Sequence, residues 1–184
     1  MHFNRLSREL ANNVRNITKV SKSDIYYAFI LRAISLLEER GELIYIVPYH
    51  FFYNTHAKIV RESFIKSDEI EIVIDLDETK IFKNKNPEIV IFKFRKGKCN
   101  LTKRKIKLLK IKTRKATVDD IYKNSIDALI NKTSNNLFYY REINHYKSSE
   151  SWSSSFFDTP DFPSIKLKQI AKVGVGLISG FLNL

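Results

Sequence analysis

The chain holds a single cysteine, Cys99, with five glycines and four prolines in 184 residues. One thiol excludes an internal disulfide framework, so a reducing, cytoplasmic setting is expected. The four histidines, His2, His50, His56 and His145, show none of the spacings that bring two imidazoles to one ion, and no metal site is assigned. No apolar run approaches the roughly 20 residues of a membrane span. The opening Met1-His-Phe-Asn-Arg-Leu6 also lacks the apolar centre of a secretory signal, so a soluble chain outside the membrane is expected. Three glycines gather at Gly174, Gly176 and Gly180. Their spacing is one residue too long for a glycine-rich phosphate loop, and a turn is the simpler reading. Acidic residues are few as well, 20 against 32 Lys and Arg, for a net charge of +12. That excess favours a polyanionic partner, nucleic acid before an anionic lipid surface, with a lysine-rich solvated surface as the alternative.

What is present is α/β patterning, densest over residues 23–94. Tyr26, Phe29, Ile30, Ala33, Ile34 and Leu37 recur at steps of three and four, which places one apolar stripe on a helix. Ser23 or Asp24 can cap its start, and Gly41 stands where a left-handed residue would end it. Residues 43–47, Leu-Ile-Tyr-Ile-Val, form an unbroken apolar run too short for another helix. Such a run predicts a strand of a parallel sheet with both faces covered. Pro48 closes that strand and leaves Tyr49 to Tyr53 at its carboxyl end, where open α/β sheets bind ligands. Upstream, Leu6, Leu10, Val14 and Ile17 make a narrow surface-helix stripe. Downstream, Thr55 can cap a helix to about Lys66 that buries Ala57, Val60 and Phe64, and residues 70–76 form the next strand.

Residues 75–87 are a polar connection carrying two isolated apolar side chains, Ile81 and Phe82. It is too short and aperiodic for a crossover helix, so the strand at 88–95 is expected to return antiparallel. Glu78-Thr-Lys80 beside Asp75 and Asp77 has the composition of a nuclease metal site, but the strand before it already has a place in the sheet. In the lysine-rich strand 102–113, Ile106 and Leu108 and then Leu109 and Ile111 change phase, which suggests a bulge or an edge. Lys103, Arg104, Lys105, Lys107, Lys110 and Lys112 are either a ribbon of phosphate contacts or solvated edge protection. Thr117 with Asp119 and Asp120 opens a helix to about Lys132. From 133 to 163 the composition turns to Ser, Asn, Asp and Pro, read as a loop or linker.

Several of these blocks together resemble a family. Lys22-Ser-Asp-Ile-Tyr-Tyr-Ala-Phe29, Leu36-Leu-Glu-Glu-Arg-Gly-Glu-Leu-Ile-Tyr-Ile-Val-Pro48, and Ile81-Phe82 followed by Glu88-Ile-Val-Ile-Phe-Lys-Phe94 are similar, in order and spacing, to the later blocks of gamma-class adenine-N6 DNA methyltransferases. Residues 170–181 resemble the start of that family's target-recognition domain. The glycine block and acidic residue that bind S-adenosylmethionine in the family are absent here, as is its Asn-Pro-Pro-Tyr tetrapeptide.

The resemblance implies an α/β fold: the C-terminal half of a Rossmann-like methyltransferase sheet, mixed parallel and antiparallel, over residues 1–132. The beginning of a recognition domain would follow at 164–184. It implies methyl transfer from S-adenosylmethionine to an adenine flipped out of double-stranded DNA, as in a restriction-modification system. Phe29 matches a position lining the cofactor's adenine pocket, with plain core as the other reading. Phe82 matches one that stacks on the flipped base. No catalytic residue is assigned to this chain, which reads as an internal fragment, a split-gene product or a remnant. A separate chain carrying the other half is an expected partner; a non-catalytic DNA-binding or partner-binding module is the alternative.

Overall fold

The computed structural model describes residues 7–20, 23–82, 87–97, 105–144 and 151–152. The expected beginning of a recognition domain at 164–184 lies outside them. Helix α1 (Arg8–Thr18) is capped by the Ser7 hydroxyl, which accepts from the Leu10 N–H. It packs on α2 (Ile25–Leu36) through Ala11 and Val14, while Leu10 and Ile17 of the expected stripe are exposed. Helix α2 buries Tyr27, Ala28, Ile30 and Ile34. Phe29 points to solvent, so the apolar stripe is rotated from the expected one. Gly41 does not take the left-handed turn; Arg40 does, at φ 65°. Gly41 is required for space instead, because a Cβ there would stand 2.9 Å from the Glu38 carbonyl oxygen.

Strand β1 (Glu42–Pro48) is followed by two short 3₁₀ turns and α3 (Lys58–Ser67), then β2 (Asp68–Asp75). Strand β3 (Ile89–Lys96) returns antiparallel and inserts between β1 and β2. Strand β4 (Ile106–Ile111), α4 (Val118–Asn131) and β5 (Phe138–Ile143) complete a sheet of order β1-β3-β2-β4-β5. This is the expected mixed α/β sheet, with β2 and β4 as its parallel pair.

Two expectations about individual strands are reversed. β1 is not buried on both faces between parallel neighbours: it is an edge strand, antiparallel to β3, and Ile44 and Ile46 are 65% and 51% exposed. β4 is neither an edge nor bulged. It runs between β2 and β5 in unbroken register, and its change of phase arises because both faces are buried. Ile106 and Leu108 join the core under α2 and α3, whereas Leu109 and Ile111 join the one under α4. The irregularity lies in β2, between Ile70 and Ile72.

The stretch read as a loop or linker is also more ordered than its composition implies. β5 lies within it, and Trp152 is buried in the first core, its N–H donating to the Phe52 carbonyl at 2.8 Å. As an edge strand β5 fully buries Phe138 alone, so its polar sequence gives no apolar run to read.

Candidate functional site

The polypeptide turns sharply at the carboxyl end of β1 because Pro48 ends the ladder and a 3₁₀ turn (Tyr49–Phe52) follows. Phe51 and Phe52 point into the core. His50 and Tyr53 are left on the other side, beside the start of α2. There Asp24 holds the N-cap position without a side-chain capping bond. Its carboxylate lies 3.5 Å from His50 Nε2, and the Tyr26 hydroxyl lies 3.4 Å from the same nitrogen. These groups line a cavity of about 420 Å³, whose other walls are Pro48, Tyr53, Pro87 and the carboxylates Glu78 and Glu88.

The electrostatics favour acceptors and neutral donors. Burial raises the Tyr26 phenol well above its usual range. Burial, reinforced by the charges of Asp75 and Glu88, pushes Tyr49 up to about 12. Both phenols therefore remain protonated at neutral pH and can donate. Asp75, at the end of β2, is buried, and that burial raises its carboxyl above the usual carboxylate value. The Asp77 N–H donates to it at 2.9 Å, and Lys110 Nζ stands 3.8 Å away. Among the described residues no three His, Cys, Asp or Glu side chains gather as a metal site. No helix among them is long and apolar enough to cross a membrane.

The first residues of the connection after β2, 76–81, are held by several polar contacts. Arg114 holds Asp77 at 3.0 Å and Glu78 at 2.5 Å, and the N–H groups of Thr79 and Ile81 donate to Leu76 and Thr79. Ile81 packs against the α4 core, while the next side chain, Phe82, is 46% exposed. Phe29 is 57% exposed on α2, so it is not the core residue that the alternative reading made it. Neither ring lines the cavity.

Among the described residues, the basic side chains of β4 do not share one face. Lys103 and Arg104 lie outside the described residues. Lys107 and Lys110 occupy positions of opposite parity on β4 and face opposite sides of the sheet. Lys110 faces Asp75, and Lys112 reaches the Asn135 carbonyl and lies 4.7 Å over the Tyr139 ring. Lys105 is exposed just before the strand.

Sequence reasoning missed Asp24, Tyr26 and His50 as a group. His50 was weighed as a metal ligand and as part of the Tyr49 to Tyr53 segment at the strand's carboxyl end, and 24 residues separate it from Tyr26. The position of Asp24 at a helix start, and of His50 just past a strand-ending proline, was the available signal.

Residues 3–82 match the model of the Eco57I restriction-modification methylase. The Type II methyltransferase M.HincII of Haemophilus influenzae is 38% identical over 78 residues, which are 42% of this chain and 16% of that protein. The chain thus spans about a sixth of that curated relative. Among solved structures, a modification subunit of a putative type I restriction enzyme from Vibrio vulnificus YJ016 matches with a TM-score of 0.55 at 12% identity, over 78% of this chain and 33% of that one. A DrdV–DNA complex matches with a TM-score of 0.52 at 12% identity, over 86% of this chain and 17% of that one. At those identities the structures speak for the fold alone. Over residues 3–82, somewhat less than half of its length, the chain is thus similar to the Eco57I restriction-modification methylases.

Proposed function

We propose that this chain forms the later part of an adenine-N6 DNA methyltransferase that uses S-adenosylmethionine and acts on double-stranded DNA. The observation that carries the reading is the exposure of Phe29 and Phe82, 57% and 46%. Both are phenylalanines that the family resemblance assigns to ligands, and both stand out of the core where apolar burial would have placed them. An exposed aromatic face can return on the order of 1 to 3 kcal/mol of stacking to a base taken out of the duplex.

The chain's own residues fit the cofactor only in part. Phe29 supplies an exposed ring face for an adenine. The carboxylate and glycine turn that the family uses for the ribose and methionine are not in the sequence, so no step is routed through the cofactor here. When bound, it would supply an electrophilic methyl group. Phe82 would hold the extruded adenine, and Lys105 with Lys107 would contact backbone phosphates. The rest of the enzyme, including an Asn-Pro-Pro-Tyr segment to hold the target amino group, would come from outside these 184 residues. By this reading the 184-residue chain alone does not transfer methyl groups.

The test is methyl incorporation into duplex DNA by the chain alone, and by the chain co-expressed with or fused to a segment carrying the glycine block and Asn-Pro-Pro-Tyr. Activity is expected only in the second case. There Phe82→Ala should lower it at least tenfold with an unchanged melting temperature, and Phe82→Trp should retain much of it. Methylation by the chain alone, or a completed enzyme indifferent to Phe82→Ala, would overturn the reading.

A further inference from the structure

Helix α4 carries more apolar surface than its contact with the sheet uses. Ile121, Ser125 and Ala128 form its buried side. On one flank the helix is polar, and the Asn135 side-chain amide donates there to the Asn124 carbonyl and the Asp127 carboxylate, at 2.7 and 2.9 Å. On the other flank Val118, Tyr122, Ile126 and Ile130 follow one another at steps of four, and they are 59%, 67%, 39% and 72% exposed. One exposed isoleucine is ordinary. Four apolar side chains in an unbroken row on a 14-residue helix are instead a ridge of the kind by which helices pack on one another. Among the described residues nothing covers it. The row is also symmetric about its middle: a copy of α4 laid against it in the opposite direction sets Val118 against Ile130 and Tyr122 against Ile126. Every apolar side chain of the row then meets another. Charge agrees with that arrangement. α4 has three aspartates and one lysine in a chain of net charge +12, so the contact joins surfaces that do not share the chain's excess. Asp119, Lys123 and Asp127 make a second row at the same steps beside the apolar one. Two such rows running in opposite directions bring each Lys123 within a helical turn of the partner's Asp127.

We propose that the exposed row of α4 is the contact of a two-fold dimer, in which the α4 helices of two copies of this chain pack antiparallel. A two-fold contact is made by the same patch on both copies, and the symmetry of the row meets that condition. One helix pair buries on the order of 1,000 Å², the low end for a specific interface. The positive charge elsewhere on each copy is screened beyond about 8 Å at physiological ionic strength, so it weakens the dimer without preventing it. The dissociation constant is accordingly expected at about 10–100 micromolar. The dimer stands independently of methyl transfer, since neither Phe29 nor Phe82 belongs to the row.

The experiment is sedimentation equilibrium of the full chain from about 5 to 500 micromolar, a range that brackets the expected constant. Tyr122→Lys and Ile130→Lys replace exposed side chains, so the melting temperature should hold while dimer affinity falls at least tenfold. Leu36→Lys, at a residue 66% exposed on α2, should leave affinity unchanged. Direction is read by disulfide formation in a Cys99→Ser background. Chains carrying Tyr122→Cys should cross-link with chains carrying Ile126→Cys when the two are mixed, and much less when each is oxidised separately. A chain monomeric over the whole range, or a dimer indifferent to both α4 lysine variants, would overturn the proposal. So would a dimer that Leu36→Lys dissolves, or cross-linking as ready in the separate chains as in the mixture.

Discussion

Replacement of Trp152 by alanine tests whether the residues after α4 are part of the folded unit. The indole is 1% exposed, and its centroid lies 6.2 Å from Phe51, 6.0 Å from Phe52 and 6.3 Å from Phe64. It also lies 6.0 Å from the guanidinium of Arg61, which is buried and donates to the carbonyls of Phe51 and Asn54 at 2.7 and 3.0 Å. Truncating a buried Trp to alanine costs about 3–5 kcal/mol, from lost transfer energy and the cavity left behind. The backbone bond to Phe52 survives the substitution, and water entering the space can hydrate Arg61. Both effects favour the lower end, so about 3 kcal/mol is expected. At roughly 2–4 °C per kcal/mol for a domain of this size, the melting temperature should fall by about 6–12 °C. Urea titration followed by circular dichroism measures the free energy, and thermal melting gives the second reading. A change below about 1 kcal/mol by both would refute the reasoning and return residues 133–152 to the status of a connector.

Other substitutions probe separate elements. Thr117→Ala removes a capping box in which the hydroxyl accepts the Asp120 N–H at 3.1 Å and donates to the Asp120 carboxylate at 2.6 Å; a loss of about 1 kcal/mol is expected in chemical denaturation. Gly41→Ala must move the Glu38 carbonyl or the Leu37 side chain, and about 1–3 kcal/mol should be lost. For Asp75, burial raises the folded-state pKa, so the folded chain binds more protons than the unfolded one just above the ordinary carboxylate value. Its contribution to stability is therefore greatest in acid and falls as pH rises through that window. The stability of Asp75→Asn relative to the unsubstituted chain should accordingly improve as pH rises from about 4, and a difference that is flat with pH would count against the burial argument. Duplex DNA binding should weaken steeply with salt, and Lys105→Glu with Lys107→Glu should weaken it further and flatten the salt slope in fluorescence anisotropy.

Local chemistry was legible wherever the deciding interaction is close in sequence. Thr117 and Asp120 are three residues apart, and the helix start they announce is where the capping box stands. Ala57, Val60 and Phe64 are the buried residues expected around α3. The antiparallel return of β3 followed from the brevity of its connection. The exposure of Phe82 was legible because a lone aromatic in a polar turn has no core to explain it. That of Phe29 was not, since the stripe-like spacing of its neighbours suggested burial, and only the contact with α1 and the sheet sets the rotation of α2. Asp24, Tyr26 and His50 meet only because the start of α2 is laid against the end of β1.

The reversal between β1 and β4 has one physical cause. An apolar run states how many faces of a strand are to be covered, and it carries nothing about which strand lies on either side. β4 has apolar residues of both parities, and both its faces are covered, by α2 and α3 with Trp152 on one side and by α4 on the other. β1 also has apolar residues of both parities, yet only Leu43, Tyr45 and Val47 find cover here, and Ile44 and Ile46 find none. Lysines on β4 suggested an edge because their charged ends reach out of the sheet along flexible stems, which an interior strand tolerates near its ends. The reading of β1 failed for the strand in this chain while remaining sound for its side chains. Exposed β-branched residues on a strand without edge protection are an aggregation hazard unless something covers them. The sequence of β1 is thus suited to an assembly in which a further strand and a further apolar layer are present.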